Sequence, residues 1–337
     1  MQKYKKVKFF HKSFVFFIDS MYFCSGMNER QLINRLAKTY DEREARAIIR
    51  MVLEVRFGLT LTDIACGGIE KMNDEETLAL CHILSSLEQG MPVQYVLGMA
   101  DFGPRTFLVE PGVLIPRPET YELCQMVVED IAHHHDFPPE IDILDIGTGS
   151  GCIAITLALD IPQAHVTAWD IMPEALRIAE RNAQALSAHV TFEQRDVLSL
   201  SSNPSDTSIP RTSRKSRISS ISRKSSLSRD SRISRKSDII ISNPPYISRH
   251  EQAQMERHVV EHEPEIALFV PDDDPLVFYR HIAHYAQEAL SDGGRLYFEI
   301  NPLYAEPLVQ MMSAKGWHDI SRHQDQYGKT RFMKCKK

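Results

Sequence analysis

The chain has 337 residues and a mass of 38.5 kDa, with 43% apolar and 25% charged residues and a net charge of −6. That composition excludes a fibrous, collagen-like or wholly disordered chain, and no run of about eighteen apolar residues is present to span a membrane. The cysteines at 24, 66, 81, 124, 152 and 335 are scattered, with no CxxC pair, which argues for a reducing, cytoplasmic setting and against a structural zinc site.

Residues 1–26 place five lysines in the first twelve positions and then an aromatic stretch from Phe9 to Cys24, broken by His11, Lys12 and Asp19. No uninterrupted apolar core or small-residue cleavage site marks a signal peptide, so the segment reads as an extension ahead of Met27, the expected working start. From Asn28 to Gly90 the apolar period is helical. Leu32, Ile33, Leu36, Ala37 and Tyr40 form one stripe; Ala45, Ile48, Ile49, Val52 and Val55 form a second, stopped by Gly58. Asn73 with Glu76 spells a capping box that opens a helix through Leu80, Leu84 and Leu87. Residues 27–90 are thus expected to be a small helical domain, a scaffold or a docking surface for a protein substrate.

Beyond residue 138 strands and helices alternate. Ile141–Ile146, Ala164–Trp169, Val190–Gln194, Ile239–Ser242 and Arg295–Ile300 read as strands. Ile153–Leu159, Pro173–Leu186 and Pro275–Leu290 read as the helices between them. Such alternation predicts an α/β domain, placed at 121–337, whose largely parallel sheet binds ligands at the carboxyl ends of its strands. Residues 201–237 interrupt the pattern: fifteen of these 37 positions are serine, and a loose S-R-x-S motif repeats. With so little apolar surface the segment is expected to be a disordered insertion. Within it, residues 211–236 carry ten Lys/Arg against one acid, which leaves −15 for the remainder of the chain. Any nucleic-acid contact is therefore expected only at that basic loop.

Asp145-Ile146-Gly147-Thr148-Gly149-Ser150-Gly151 lies between the first strand and its helix. Glycines there let a ligand approach the backbone. The spacing is G-x-G-x-G, not the G-x-G-x-x-G of dinucleotide sites. Asp170, at the end of the second strand, is placed to accept from both hydroxyls of a ribose, and Asp196, after the third, from an adenine amino group. Glycine loop and two acids describe a nucleoside cleft without a phosphate clamp, which S-adenosylmethionine fits. Directly after the fourth strand comes Asn243-Pro244-Pro245-Tyr246. Consecutive prolines hold this segment extended and leave the Asn243 side-chain carbonyl and the Pro244 backbone carbonyl as two rigid acceptors. They match the two hydrogens of an NH₂ group on a planar amide or aromatic amine, with the Tyr246 ring as a stacking face.

Further segments give these motifs a context. Pro92-Val93-Gln94-Tyr95-Val96-Leu97-Gly98, Phe102-Gly103, Val113-Leu114-Ile115-Pro116-Arg117-Pro118-Glu119-Thr120, Glu263-Pro264, Asp272-Asp273-Asp274-Pro275-Leu276 and Phe298-Glu299-Ile300-Asn301 stand in order around them. Together, over residues 28–200 and 238–333, the chain closely resembles the release-factor glutamine methyltransferases of bacteria and organelles, the HemK or PrmC family. The resemblance implies a Rossmann-like class I S-adenosylmethionine-dependent methyltransferase domain behind a small N-terminal helical domain, with 91–120 as linker and β-hairpin. It implies methyl transfer to the side-chain amide nitrogen of the glutamine in the Gly-Gly-Gln motif of peptide chain release factors, by a chain expected to be monomeric. By the same resemblance Gly147, Thr148, Gly149, Ser150, Gly151, Asp170, Asp196, Val197 and Asn243 hold the cofactor, and Asn243, Pro244, Pro245 and Tyr246 receive the glutamine. The 201–237 insertion is the main departure, and two single positions depart as well. Some members carry tryptophan at the position of Val197, which here predicts less packing area for adenine, and Tyr121 replaces a common acid.

The tetrapeptide alone is shared with DNA adenine-N6 methyltransferases, so that activity is the enzymatic alternative; the acidic body outside the loop speaks against it. A non-enzymatic release-factor- or ribosome-interacting protein is the other, opposed by the intact Asn243, prolines and glycines. His133-His134-His135 reads as a surface cluster, Asp272–Asp274 as an acidic helix start, and neither as a metal site.

Overall fold

The structure, a computed structural model, describes residues 26–134, 136–200 and 236–337. The expectations for the N-terminal extension, for His135 and for nearly all of the Ser/Arg-rich insertion fall outside the described residues. Among those described, no helix is long and apolar enough to cross a membrane.

The described residues fall into two compact units. The first comprises those up to Met99 with Val109–Pro111 and Met255–His262; the last of these segments, α10 included below, was expected within the second domain. It is built from α1 (Glu29–Leu36), α2 (Glu42–Phe57), α3 (Leu61–Ala65), α4 (Asp74–Glu88) and α5 (Val93–Leu97). Each of the first four starts where a side chain supplies an acceptor that the backbone lacks. Asn28 Oδ1 accepts from Gln31 N, Asp41 from Arg43 N and Glu44 N, Thr60 from Asp63 N, and Asn73 from Glu76 N with Glu76 returning the bond. Gly58, at φ +67°, ends α2 in the left-handed conformation. The core closes over Leu32, Leu36, Ile49, Val52, Leu84 and Leu87. Two residues of the expected stripes turn outward: Val55 is exposed and Leu53, four residues after Ile49, takes the inward place, while Ala37 lies past the end of α1.

The second unit begins with a hairpin, β1 (Met99–Phe102) and β2 (Arg105–Leu108), followed by α6 (Pro118–His133). Then come β3 (Ile141–Ile146), α7 (Cys152–Asp160), β4 (Ala164–Asp170), α8 (Pro173–Ala185), β5 (Val190–Gln194) and the short α9 (Val197–Leu200). The chain continues with β6 (Ser237–Ser242), whose first residue was expected in the insertion, β7 (Ile247–Ser248), α10 (Arg257–His262), α11 (Glu265–Leu268) and β8 (Phe269–Val270). It ends with α12 (Val277–Ala289), β9 (Leu290–Glu299), α13 (Ala305–Ala314), β10 (His318–Gln324) and β11 (Thr330–Lys336).

Seven strands form one sheet in the order β10-β11-β9-β6-β3-β4-β5, parallel except for β11, which runs antiparallel to both neighbours. Both faces are covered, and the strands show it by alternation. Ile143, Ile239, Ile241, Tyr297 and Phe332 pack with α6, α7 and the hairpin phenylalanines 102 and 107. Leu144, Ile240, Leu296, Phe298 and Met333 pack on the other side with α12 and α13. Tyr121 packs over the hairpin turn, its ring edge-on to Phe102 and filling the space that a side chain at Gly103 would need. The order reverses at β3, between β6 and β4, so the loops leaving β3 and β6 emerge side by side at one end of the sheet.

Candidate active site

The loop after β3 is tied down by its own polar groups. Thr148 Oγ1 donates to Asp145 Oδ2 at 2.6 Å, and the Gly147 and Thr148 amides donate to the Trp169 carbonyl at 2.8 and 2.9 Å. Asp170, last residue of β4, completes the cradle: Oδ2 accepts from Gly149 N at 2.9 Å and Oδ1 from Met172 N at 2.8 Å. Gly147 and Gly149 have φ of +79° and +55°, and a Cβ added to either would meet nothing within 4 Å. They border open space. Gly151, at φ +84°, is glycine for a different reason, since a Cβ there would lie 2.9 Å from Ile155 Cδ1 and 3.0 Å from Ala179 Cβ.

That open space is a cavity of about 300 Å³. The structure brings Gly147, Gly149, Asp170, Asp196, Val197, Asn243, Pro244 and Pro245 together around it. Thr148, Ser150, Gly151 and Tyr246, read from the sequence as binding or catalytic residues, are not in its lining. The loop turns the first two inward, where both are buried, and closes Gly151 onto α8. Tyr246 instead packs in the apolar layer with α12 and ties its hydroxyl to Glu299 Oε1 at 2.9 Å. The apolar walls come from places the motifs do not mark: Val113 and Leu114 ahead of α6, Ile266 and Ala267 in α11, and Phe278 and Ile282 in α12. Only their helical period, which aims Phe278 and Ile282 to one side, foreshadowed them. Val197 contributes to the wall, and the Arg195 guanidinium stands 5.7 Å from the centre of the Trp169 ring.

Asn243 leads out of β6 with its Nδ2 donating to Thr120 Oγ1 at 3.1 Å, and Thr120 Oγ1 donates in turn to Glu299 Oε2 at 2.6 Å. Thr120 and Glu299 are only 3% and 2% exposed. Asn301 Nδ2 donates to the Tyr246 carbonyl at 3.1 Å and so holds the end of the tetrapeptide. Thr120 and Glu299 were visible in the sequence as parts of motifs without a role.

Burial sets the electrostatics. It pushes the Asp145 carboxyl up to about 7, opposed by the Thr148 hydroxyl and a backbone N–H. It also raises Asp170, against the pull of the Met172 and Gly149 amides, and Glu299, against the hydroxyls of Thr120 and Tyr246. Cys152, just beyond the loop, is buried and its thiol is pushed up to about 12, so it packs and does not react.

A cofactor of adenosine type fits what is present. Two glycines give open approach at the end of β3, a carboxylate closes β4, a second follows β5, and aliphatic and aromatic walls suit a flat base.

The family described as "Methyltransferase domain" matches residues 138–258, and that described as "PrmC N-terminal domain" matches residues 30–98. The release factor glutamine methyltransferase of Bacteroides thetaiotaomicron is 39% identical over 298 residues, covering 88% of this chain and 95% of the relative. The protein of the same description from Flavobacterium psychrophilum is 33% identical over 304 residues, covering 90% and 96%. That from Lactococcus lactis is 35% identical over 269 residues, covering 79% and 85%.

Proposed function

The chain belongs to the family of release factor glutamine methyltransferases, and from that premise we propose how its residues divide the work. It is an S-adenosylmethionine-dependent enzyme that methylates the side-chain amide nitrogen, N5, of the glutamine in the Gly-Gly-Gln motif of peptide chain release factors.

S-adenosylmethionine, when bound, supplies a methyl group activated by the sulfonium that carries it. Gly147 and Gly149 would border its methionine and ribose parts, Asp170 would accept from the ribose hydroxyls, and Asp196 and Val197 would lie beside adenine, with Phe278 and Ile282 excluding water from the base. Asn243 and Pro244 hold the glutamine amide: Asn243 Oδ1 and the Pro244 carbonyl each accept one of its N–H hydrogens. This grip matters because an amide nitrogen is a poor nucleophile, its lone pair being delocalised into the carbonyl. Two fixed acceptors orient the NH₂ toward the methyl and favour the positive charge that develops on nitrogen, and orientation of this kind is worth several kcal/mol. The surplus proton becomes acidic on alkylation and leaves to solvent, so no strong base is required of the chain. Thr148, Ser150 and Gly151 act by shaping the loop, and Tyr246 by anchoring the tetrapeptide.

The observation that carries this reading is the meeting of Gly147, Gly149 and Asp170 with Asn243, Pro244 and Pro245 around one cavity. We further assign residues 27–90 to docking of the release factor, 91–120 to the linker and hairpin, and 121–337 to the methyltransferase domain. We infer a cytoplasmic monomer, with any nucleic-acid contact confined to the basic 211–236 segment. We take the 201–237 insertion as tolerated, so a chain lacking 203–236 retains transfer; complete loss or a large gain overturns that. The test of function is transfer of label from S-adenosylmethionine to purified release factors, with a DNA substrate in parallel and the modified site mapped by mass spectrometry. One methyl on the Gly-Gly-Gln glutamine is the expected result. Label on adenine with none on the factors would overturn the assignment.

A further inference from the structure

The Asn243 carboxamide has two ends of similar shape and opposite character, and only one of them suits an NH₂ substrate. If Nδ2 faced the cavity, an N–H would be set against the substrate's own N–H groups, and one of the two acceptors would be gone. Something in the protein has to choose. We propose that Thr120 and Glu299 are positioning residues that hold Asn243 with Nδ2 turned into the protein and Oδ1 toward the cavity. The proposal rests on the reading that Asn243 receives the glutamine amide.

Donor and acceptor accounting leads to it. An ionised carboxylate only accepts, and both Glu299 oxygens are engaged, Oε2 by Thr120 Oγ1 at 2.6 Å and Oε1 by the Tyr246 hydroxyl at 2.9 Å. A threonine hydroxyl has one proton. With that proton committed to Glu299, Oγ1 is left with lone pairs alone and can bind only a donor, and Asn243 Nδ2 lies 3.1 Å away. The reversed amide would place Oδ1 against those lone pairs. Turning the Thr120 proton to meet it would leave two bare oxygens 2.6 Å apart, in a place where both residues are almost fully buried and water cannot intervene. Either arrangement of the reversed amide is frustrated, and the observed one is not. Among the described residues Asn243 Oδ1 accepts no hydrogen bond, and Asn243 borders the cavity. The three residues are brought together from distant places: Thr120 in the first turn of α6, Asn243 after β6, and Glu299 at the end of β9. The Tyr279 hydroxyl donates to the Glu299 backbone carbonyl at 3.1 Å and fixes the end of that strand.

The test compares Thr120→Val, Thr120→Ser and Glu299→Gln with the wild-type chain, using labelled S-adenosylmethionine and purified release factor. Cofactor affinity is read by calorimetry and folding by thermal melting. Thr120→Val keeps the shape and removes the relay, so kcat is expected to fall by roughly tenfold to a hundredfold, as when a preorganised polar group at a reaction centre is mis-set. Cofactor affinity should stay near wild type, while melting should fall by a few degrees because the buried Glu299 Oε2 loses its partner. Thr120→Ser restores the hydroxyl and is expected to recover most of kcat. Glu299→Gln puts an NH₂ where one of the two acceptors stood and is expected to lower kcat without the change in size; it carries the test by itself should Thr120→Val fail to fold. In the Thr120→Val, Glu299→Gln double variant the two losses should not add, because they act through one amide. Wild-type kcat in Thr120→Val or in Glu299→Gln, no recovery by serine, or fully additive losses would overturn the proposal alone. A wild-type chain that labels no release factor would overturn the substrate reading and the proposal with it.

Discussion

Gly149 and Gly151, two positions apart in one loop but glycine for different reasons, allow the loop geometry to be tested by a matched pair of alanines. Both have positive φ, so alanine at either position costs about 1–2 kcal/mol of backbone strain. At Gly149 that is the whole folding cost, since the new Cβ meets open space. At Gly151 it would sit 2.9 Å from Ile155 Cδ1 and 3.0 Å from Ala179 Cβ, and both neighbours are fully buried and have nowhere to retreat. Overpacking of this kind adds about 1–3 kcal/mol. Gly151→Ala is therefore expected to lose about 3 kcal/mol in all, roughly 6–12 °C of melting temperature for a unit of this size. Gly149→Ala should melt a few degrees below wild type but bind S-adenosylmethionine roughly tenfold or more weakly, about 1.4 kcal/mol, because its methyl occupies the border of the cavity. Thermal melting and calorimetry on the two variants, side by side, decide the matter. A Gly151→Ala chain as stable as wild type would refute the packing argument, and wild-type cofactor affinity in Gly149→Ala would refute the placement of the loop.

Three further outcomes follow from the same geometry. The Asp145 carboxyl, pushed up to about 7, keeps a proton in the folded chain that the unfolded chain releases above its ordinary value of 3.8. Stability thus falls as pH rises from about 4 to about 7 and levels off above, and Asp145→Asn should gain on wild type by roughly 3–4 kcal/mol between pH 4 and pH 8. Parallel urea-denaturation profiles for the two chains would contradict this. Asp170→Ala is expected to weaken cofactor binding by at least roughly tenfold, while Asn243→Ala lowers turnover by about 10²–10³ with cofactor affinity little changed; calorimetry and rates giving the reverse pattern would overturn both roles. Glu263, its side chain fully buried, accepts from Arg117 Nη2 at 2.5 Å and from Ile115 N at 3.1 Å. Its replacement by alanine should cost about 1–3 kcal/mol in urea denaturation, because the Ile115 N–H loses its acceptor while Arg117 still reaches solvent, and a loss below about half a kcal/mol would show the pair to be incidental.

What the chain's pattern disclosed was whatever is local. The strand from Ile141 to Ile146 is found at those bounds, and the capping box at Asn73 and Glu76 is present in both directions, because each depends on residues within a turn or a pleat of one another. Gly147, Asp170 and Asn243 were legible as bordering a cleft because they stand at strand ends, where a parallel sheet gathers its loops. The exceptions are instructive. Spacing could not tell a glycine that borders the cavity from one that admits a helix, so Gly151 was grouped with Gly147 and Gly149, although Ile155 of α7 and Ala179 of α8 are what require it. Tyr246 was read as a stacking surface; its hydroxyl partner, Glu299, lies 53 residues away, beyond any periodic signal. The strands β10, at the sheet edge, and β11, beside it, escaped notice because their residues alternate too irregularly, with register shifts at both ends of the pairing. The cavity's apolar walls are ordinary amphipathic residues until the tertiary fold turns them to one place.

The join between β3 and β6 has a consequence for manufacture. These strands share three aligned pairs, Ile143 with Ile239, Leu144 with Ile240 and Asp145 with Ile241. Ile239, Ile240 and Ile241 are completely buried, so a slip of one residue would expose nothing and the usual inside-outside alternation offers no proofreading. Such a slip would displace Asn243 from the glycine loop by about 3.3 Å, the rise of one residue. The keying falls to polar groups at the two ends of the join. Asp238 Oδ2 accepts from Asp142 N at 2.9 Å at the near end, and Ser242 Oγ donates to the Ile146 carbonyl at 2.6 Å at the far end. Two inconspicuous side chains thereby set the spacing between the halves of the site, like the jaws of a caliper locked at one reading.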